Sequence, residues 1–339
     1  MPMTVRFWGT RGSLPAPLTA AQVRDKVLHA LEATRGLALP ATKPELAAFI
    51  EQHLAFPLRA TCGGNTACVQ LELGGAEYIL FDAGTGLRDF AHHHRVTRAR
   101  YTRPSMPSLT TFHLFLSHLH WDHVQGLPFF YPLFFPDHRV IIYGGHENIE
   151  EAVRQQFSTP SFPVPYDTLK AKIEYRRIVP GEPIEVAGMR VSAAAQNHPG
   201  GSFGYRCERD GCIFVYSTDC EHKQAAARAP DYPLLDFYAD ADLLVFDAMY
   251  SLAEASYSKA DWGHSSNIQG VELAARARVK RVALFHHDPH QGDAELEAVL
   301  FNSRMYAEMF YQDNGRKIPG TPKYPAEVLL AYDGLEVEI

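Results

Sequence analysis

The 339-residue chain is short of cysteine, of positive charge and of long apolar runs, and each shortage removes a class of protein. Its five cysteines, Cys62, Cys68, Cys207, Cys212 and Cys220, have no spacing that suits a zinc knuckle or a secreted disulfide framework. Cys207 and Cys212 flank an Asp210-Gly211 turn and are expected to face each other across a hairpin, as thiols in a reducing compartment. Lys and Arg number 32 against 39 Asp and Glu, a net charge of −7. That balance disfavours a long nucleic acid, whose affinity comes mainly from neutralised phosphates, but leaves a small anion open. The most apolar stretch, Leu127 to Pro136, is too short and too broken by proline to span a membrane, so no membrane contact is expected. It reads as core, or as one wall of a substrate pocket. Met1 to Arg6 lacks the charged and apolar regions of an export signal, from which a cytoplasmic location is expected. There is no internal repeat or low-complexity tail.

Histidine, by contrast, is concentrated. Ser117-His118-Leu119-His120-Trp121-Asp122-His123 packs three imidazoles and a carboxylate directly after the apolar strand Thr111 to Leu116. Loops at strand ends commonly hold site residues. Neutral imidazole and carboxylate suit zinc, manganese or iron(II). The spacing lets His118 and His120 turn to one metal while Asp122 and His123 turn to a second.

The pattern His-x-His-x-Asp-His resembles the signature of the metallo-β-lactamase superfamily, and the resemblance runs along nearly the whole chain. It implies further ligands past three other strands: His198 after Met189 to Ala195, Asp219 after Cys212 to Tyr216, and His286 ending Val282 to Phe285. One metal would take His118, His120 and His198, the other Asp122, His123 and His286, with Asp219 bridging. Asp82, in Leu80-Phe81-Asp82-Ala83-Gly84, matches the first family motif and would brace the ligand loop rather than ligate. Its other reading is the N-cap of a helix from Gly86 to His94. Two divalent ions, two carboxylates and a bridging hydroxide leave a centre of about +1, which favours an anionic substrate. The intact histidines favour hydrolysis over the oxygen chemistry of the flavodiiron branch.

His264, in Trp262-Gly263-His264-Ser265-Ser266, precedes an amphipathic helix from Asn267 to Ala277. This resembles the Gly-His-Ser motif of the ribonuclease Z and phosphodiesterase branch. His264 and Ser265 are therefore expected at the substrate, with Asp122 and His264 catalytic and the helix start attracting a phosphate oxygen. A structural histidine is the other reading. Val5 to Ser13, Cys62-Gly63-Gly64-Asn65-Thr66 and Trp121 resemble uncharacterised bacterial hydrolases close to ribonuclease Z and to cyclic-nucleotide phosphodiesterases. Arg11 and Asn65 weigh equally as phosphate contacts or as turn residues. No Lys/Arg-rich insertion matches the transfer-RNA arm of ribonuclease Z, and Asp219 stands where lactam-cleaving enzymes usually carry cysteine.

Between Pro17 and Arg59 the chain departs from those relatives with two extra helices. Thr19 with Gln22 and Thr42 with Glu45 read as capping boxes. Stripes of Val23, Val27, Leu28 and Leu31, then Leu46, Phe49, Ile50 and Leu54, follow them, to serve as a lid, a homodimer contact or plain surface. His92-His93-His94 reads as a solvated loop with Arg95 and Arg98. Ala294 to Phe310 reads as helix, Gly315 to Pro325 as loop, and Glu327 to Ala331 and Leu335 to Ile339 as closing strands.

The expected fold is an α/β protein, one αββα sandwich of two mixed β-sheets flanked by helices over residues 1–339, with a helical insertion at about 17–59. The expected cofactors are two divalent metal ions, zinc first, with manganese or iron as alternatives. The expected activity is hydrolysis of a small phosphodiester such as a cyclic nucleotide, by a metal-bridging hydroxide. The alternatives are a thioesterase or lactone hydrolase like glyoxalase II, and a non-catalytic nucleotide-binding sensor.

Overall fold

The computed structural model describes residues 3–101, 110–314 and 323–339. Most of the loop expected at Gly315 to Pro325 lies outside the described residues. In chain order the strands are β1 (Thr4–Gly9), β2 (Cys68–Glu72), β3 (Glu77–Phe81), β4 (Thr110–Phe115), β5 (His138–Gly144), β6 (Lys172–Arg177) and β7 (Ile184–Val186). There follow β8 (Met189–Gln196), β9 (Ser202–Arg209), β10 (Cys212–Ser217), β11 (Leu243–Asp247), β12 (Arg281–Phe285), β13 (Glu327–Leu330) and β14 (Glu336–Glu338). They form two seven-stranded sheets, ordered β14-β1-β2-β3-β4-β5-β6 and β13-β12-β11-β10-β9-β8-β7.

Each sheet has an antiparallel half and a parallel half. β3 to β6 run parallel in one, and β10 to β13 in the other. The residue patterns explain the split. β4 and β11 are buried along their whole length, as parallel strands covered on both faces must be. β8 alternates instead, with Met189, Val191 and Ala193 buried and Arg190 exposed, and it pairs antiparallel with β9.

Between the sheets lies an aromatic layer centred on Phe81, whose ring centroid is 5.3 Å from those of Phe115, Phe214 and Tyr216. Leu87 and Phe90, from the helix Gly86–Tyr101, cover the outer face of the first sheet together with Leu127, Phe130 and Leu133. Val271, Leu273 and Ala274, from the helix Asn267–Arg276, cover the second with Leu296 and Ala307 of the helix Asp293–Asn314. The αββα sandwich expected from the sequence is thus present, and the aromatic run is mostly outer-face core.

Two local expectations are corrected. The helix after Asp82 continues to Tyr101, so His92 to His94 are helical rather than a solvated loop. His94 continues the inward stripe of Leu87 and Phe90 and is itself buried, with Nδ1 2.6 Å from the Tyr131 hydroxyl. Cys207 and Cys212 do not face each other. The Asp210-Gly211 turn, with both φ angles positive, sets a register that puts Cys207 opposite Phe214 and Cys212 opposite Arg209, and both cysteines are free.

The two extra helices are present at Ala20–Ala33 and Lys43–His53, each opened by the expected capping box. Their apolar stripes are not buried: Val23, Val27, Leu28 and Leu31 are all about half exposed. The first helix is instead fixed by one cation. Lys26 Nζ lies 2.6 Å from Asp293 Oδ2 and 2.8 Å from the Ala60 carbonyl, and also donates to the Pro57 carbonyl. Asp293 in turn accepts from the Cys62 amide at 2.8 Å. Among the described residues no helix is long and apolar enough to cross a membrane.

Because removing one partner of a buried polar group leaves the other unpaired, Lys26→Met is expected to destabilise the segment 20–60 by about 1–3 kcal/mol. Hydrogen exchange should rise there while the β10 to β12 amides keep their protection.

Candidate metal centre

The expected ligands converge at the ends of β4, β8, β10 and β12. His118, His120 and His198 bring their ring nitrogens within 4.8 Å of one another, as do the ligand atoms of Asp122, His123 and His286. Between these two trios stands Asp219, with one oxygen toward each. Its Oδ2 is 3.6 Å from His118 Nε2 and 3.7 Å from His198 Nε2, and its Oδ1 is 3.3 Å from both His123 Nε2 and His286 Nε2. Asp122 Oδ2 lies 3.2 Å from His123 Nε2 and 3.3 Å from His286 Nε2, and accepts the Ser13 amide at 2.7 Å.

Hydrogen bonds behind the rings decide which nitrogen faces inward. Asp82, fully buried, accepts from the Ser117 amide at 2.7 Å, the Ser117 hydroxyl at 2.8 Å, the Tyr216 hydroxyl at 2.7 Å and His123 Nδ1 at 2.7 Å. With its proton given to Asp82, the Ser117 oxygen accepts from His118 Nδ1 at 3.0 Å. His198 Nδ1 donates to the Gly263 carbonyl at 2.9 Å. All three rings therefore turn Nε2 inward, the outer-shell arrangement that fixes a metal-binding histidine; burial would lower the His123 pKa, but Asp219, Asp122 and Asp82 outweigh it and push it well up, so its inward nitrogen carries a proton that a metal ion would displace. Asp82 is tied by these bonds to the loop that carries His118 and His123, and its oxygens are not spent on a helix cap.

This donor set fits divalent metal ions. His118 Nε2 is buried without a hydrogen-bond partner. His123 Nε2 stands 3.2 Å from His286 Nε2, and His198 Nε2 stands 3.1 Å from His120 Nδ1. Lone pairs that close repel unless a cation or a proton lies between them. Burial pushes the pKa values of His118, His120 and His198 down, keeping these rings in the neutral form a metal needs. Burial alone would raise the Asp219 carboxyl, but His286, His123 and His118 outweigh it and hold it well below the usual range.

His264 lies against this cluster. Its ring centroid is 5.1 Å from that of His198 and 5.0 Å from that of His286, and its Nδ1 donates to Asp247 Oδ2 at 2.8 Å. Burial would lower its pKa, but the Asp247 carboxylate prevails and pushes it up to about 9. Sequence reasoning missed Asp247. It ends the apolar strand β11 as Asp82 follows β3, but no neighbouring motif set it apart from an ordinary strand terminus.

Ser265 is a correction. Its hydroxyl is fully buried, donates to the Cys220 carbonyl at 2.6 Å and accepts the His222 amide at 3.0 Å, so it is committed to the fold rather than to a substrate. Ser266 is the helix cap, in a capping box with Gln269. Arg11 and Asn65 also prove structural. Arg11 is buried and donates to the carbonyls of Gly63, Asp288 and Gln291, while Asn65 donates to Asp89 at 2.8 Å.

Gly263 is held from both sides. Its amide donates to Glu221 at 3.2 Å, its carbonyl accepts from His198, and its φ is +86°. An added Cβ would lie 2.2 Å from His198 Nδ1, so only glycine fits.

Asp82→Asn would turn an N–H toward groups that are already donors. Zinc affinity, read by elemental analysis after dialysis against zinc buffers, is expected to fall roughly 10- to 100-fold, the usual effect of losing an outer-shell partner.

Comparison with known proteins agrees with this architecture. The family model described as "Beta-lactamase superfamily domain" matches residues 77–287, a span that includes all the candidate ligands. A ribonuclease Z of Haloarcula marismortui is 24% identical over 331 residues, covering 80% of this chain and 90% of that protein. Among solved structures, the metallo-β-lactamase fold protein YhfI of Bacillus subtilis superposes with a TM-score of 0.58 at 18% identity, covering 100% of this chain and 99% of that one. A diphosphatase of the PhnP family gives 0.57 at 19% identity, covering 99% and 98%. The resemblance read from the histidine motif is thereby borne out: the chain belongs to the β-lactamase superfamily and is a hydrolase of the metallo-β-lactamase fold.

Proposed function

We propose that the protein hydrolyses a small phosphodiester, such as a cyclic nucleotide, at a dinuclear centre. His118, His120 and His198 would hold one divalent ion and Asp122, His123 and His286 the other, with Asp219 facing both groups. Zinc best suits this nitrogen-rich set. Bound there, the ions supply a low-pKa water nucleophile and a Lewis acid for phosphoryl oxygens.

The observation that carries the reading is the Asp247–His264 pair beside the cluster. Asp247 accepts from Nδ1, so the Nε2–H of the cationic ring is the proton available to an alkoxide leaving group. Asp247 fixes the ring through this bond. Its other oxygen accepts the Met249 amide at 3.1 Å. A thioester makes no comparable demand, because a thiolate leaves without a proton. The relative named a ribonuclease Z acts on a phosphodiester polymer, in keeping with this chemistry. The chain's net charge of −7 favours a small diester over RNA.

In an assay with a cyclic-nucleotide panel, a chromogenic phosphodiester and a thioester, phosphodiester turnover is expected, to be abolished by chelation and restored by zinc or manganese. Asp219→Ala should lose both turnover and the second metal equivalent, and thioester turnover alone would overturn the reading. His264→Ala is expected to lower kcat by roughly 10²–10⁴-fold for an alkyl leaving group. The loss should be much smaller for p-nitrophenolate, which departs unprotonated.

A further inference from the structure

Residues 250–262, between β11 and His264, have no part in the chemistry above, yet they are built against it. Residues 254–258 form a π-helical turn, closed by the Lys259 amide donating to the Glu254 carbonyl at 2.8 Å. Wide turns of this kind recur at functional sites because they redirect the side chains that follow. Here Lys259 and Trp262 are brought together. Lys259 Nζ lies 3.8 Å from the centre of the Trp262 ring and 5.7 Å from that of Tyr250. Tyr250 in turn meets the His264 ring edge-on at 5.5 Å, and its amide donates to the Ser265 carbonyl at 3.1 Å. Imidazole, phenol, ammonium and indole thus form one continuous series from the cluster to solvent.

The series grades from enclosed to open. Tyr250 is 5% exposed and Trp262 is 55% exposed. Lys259 rests on two aromatic faces and, among the described residues, belongs to no ion pair. An ammonium held on aromatic faces, with only the Glu254 carboxylate on the same turn to feel its charge, can take an anionic oxygen, and a half-exposed indole suits a planar ring. A nucleotide is a ligand that joins a planar ring and an anionic oxygen to a phosphoryl centre.

We propose that Trp262, Lys259 and Tyr250 form a nucleoside subsite beside the metal cluster, with the indole stacking on the base and the ammonium facing an oxygen of the ribose phosphate. This rests on the phosphodiesterase reading and narrows it to diesters that carry a nucleoside.

The test compares two esters with one leaving group, thymidine 5′-(p-nitrophenyl phosphate) and methyl p-nitrophenyl phosphate, on the zinc-loaded full chain. The wild type is expected to prefer the thymidine ester in kcat/KM. Trp262→Ala should cut that preference roughly 5- to 100-fold, mainly through KM, the range of one lost base stack. Trp262→Phe should restore most of it, and Lys259→Met should reduce it. Equal losses on both esters would make these residues merely structural and overturn the subsite, as would a wild type with no preference. If the wild type cleaves neither ester, the phosphodiesterase reading fails by itself. The subsite then stands or falls on calorimetric titration with AMP: binding weakened by Trp262→Ala supports it, and no binding or equal binding overturns it.

Discussion

The site depends on one buried carboxylate. Asp82 sits at the end of β3 with no exposure to water, where an unsatisfied charge would be prohibitively unfavourable. Four donors offset that, and they come from separate parts of the chain. Ser117 and His123 belong to the loop after β4 of the first sheet, whereas Tyr216 rises from β10 of the second. One side chain thus closes the bottom of the site, joins the sheets and orients two imidazoles, His123 directly and His118 through Ser117.

The backbone is bent to match. Asp82, Asp219 and His286 all have positive φ, at 59°, 51° and 60°. Residues other than glycine adopt that conformation at some cost, and they keep it only where the surroundings over-determine it. Here the surroundings are the aromatic layer beneath, in which Phe81, Tyr216 and Phe285 are fully buried. Packing holds the strand ends still, and the turns after them aim the ligands inward. Opposite the cluster, Gly12 approaches so closely that an added Cβ would lie 2.5 Å from the His286 ring.

Much of this was legible in the sequence because metal ligation and strand termination both restrict residue choice. Three imidazoles and a carboxylate after an apolar strand admit few other uses, and the strands before His198, Asp219 and His286 could be found by their apolar runs. What was not legible turned on pairing rather than on residue type. A hydroxyl such as that of Ser265 reads the same whether it meets substrate or the Cys220 carbonyl. Asp247 gains its importance only from a histidine brought to it by folding. The polar His92 to His94 run hid a helical period that burial of His94 makes plain, and the stripes of the two extra helices predicted a burial that the described residues do not supply.

The division of the ligands between the sheets also bears on how the chain acquires its cofactor. His118 to His123 come from the half of the chain that ends in parallel strands β3 to β6, and His198, Asp219 and His286 come from the half containing β8 to β12. Neither half contains a closed coordination sphere. A complete donor set for a metal ion would therefore be offered only by a molecule whose sandwich has been assembled to its last strand-end histidine.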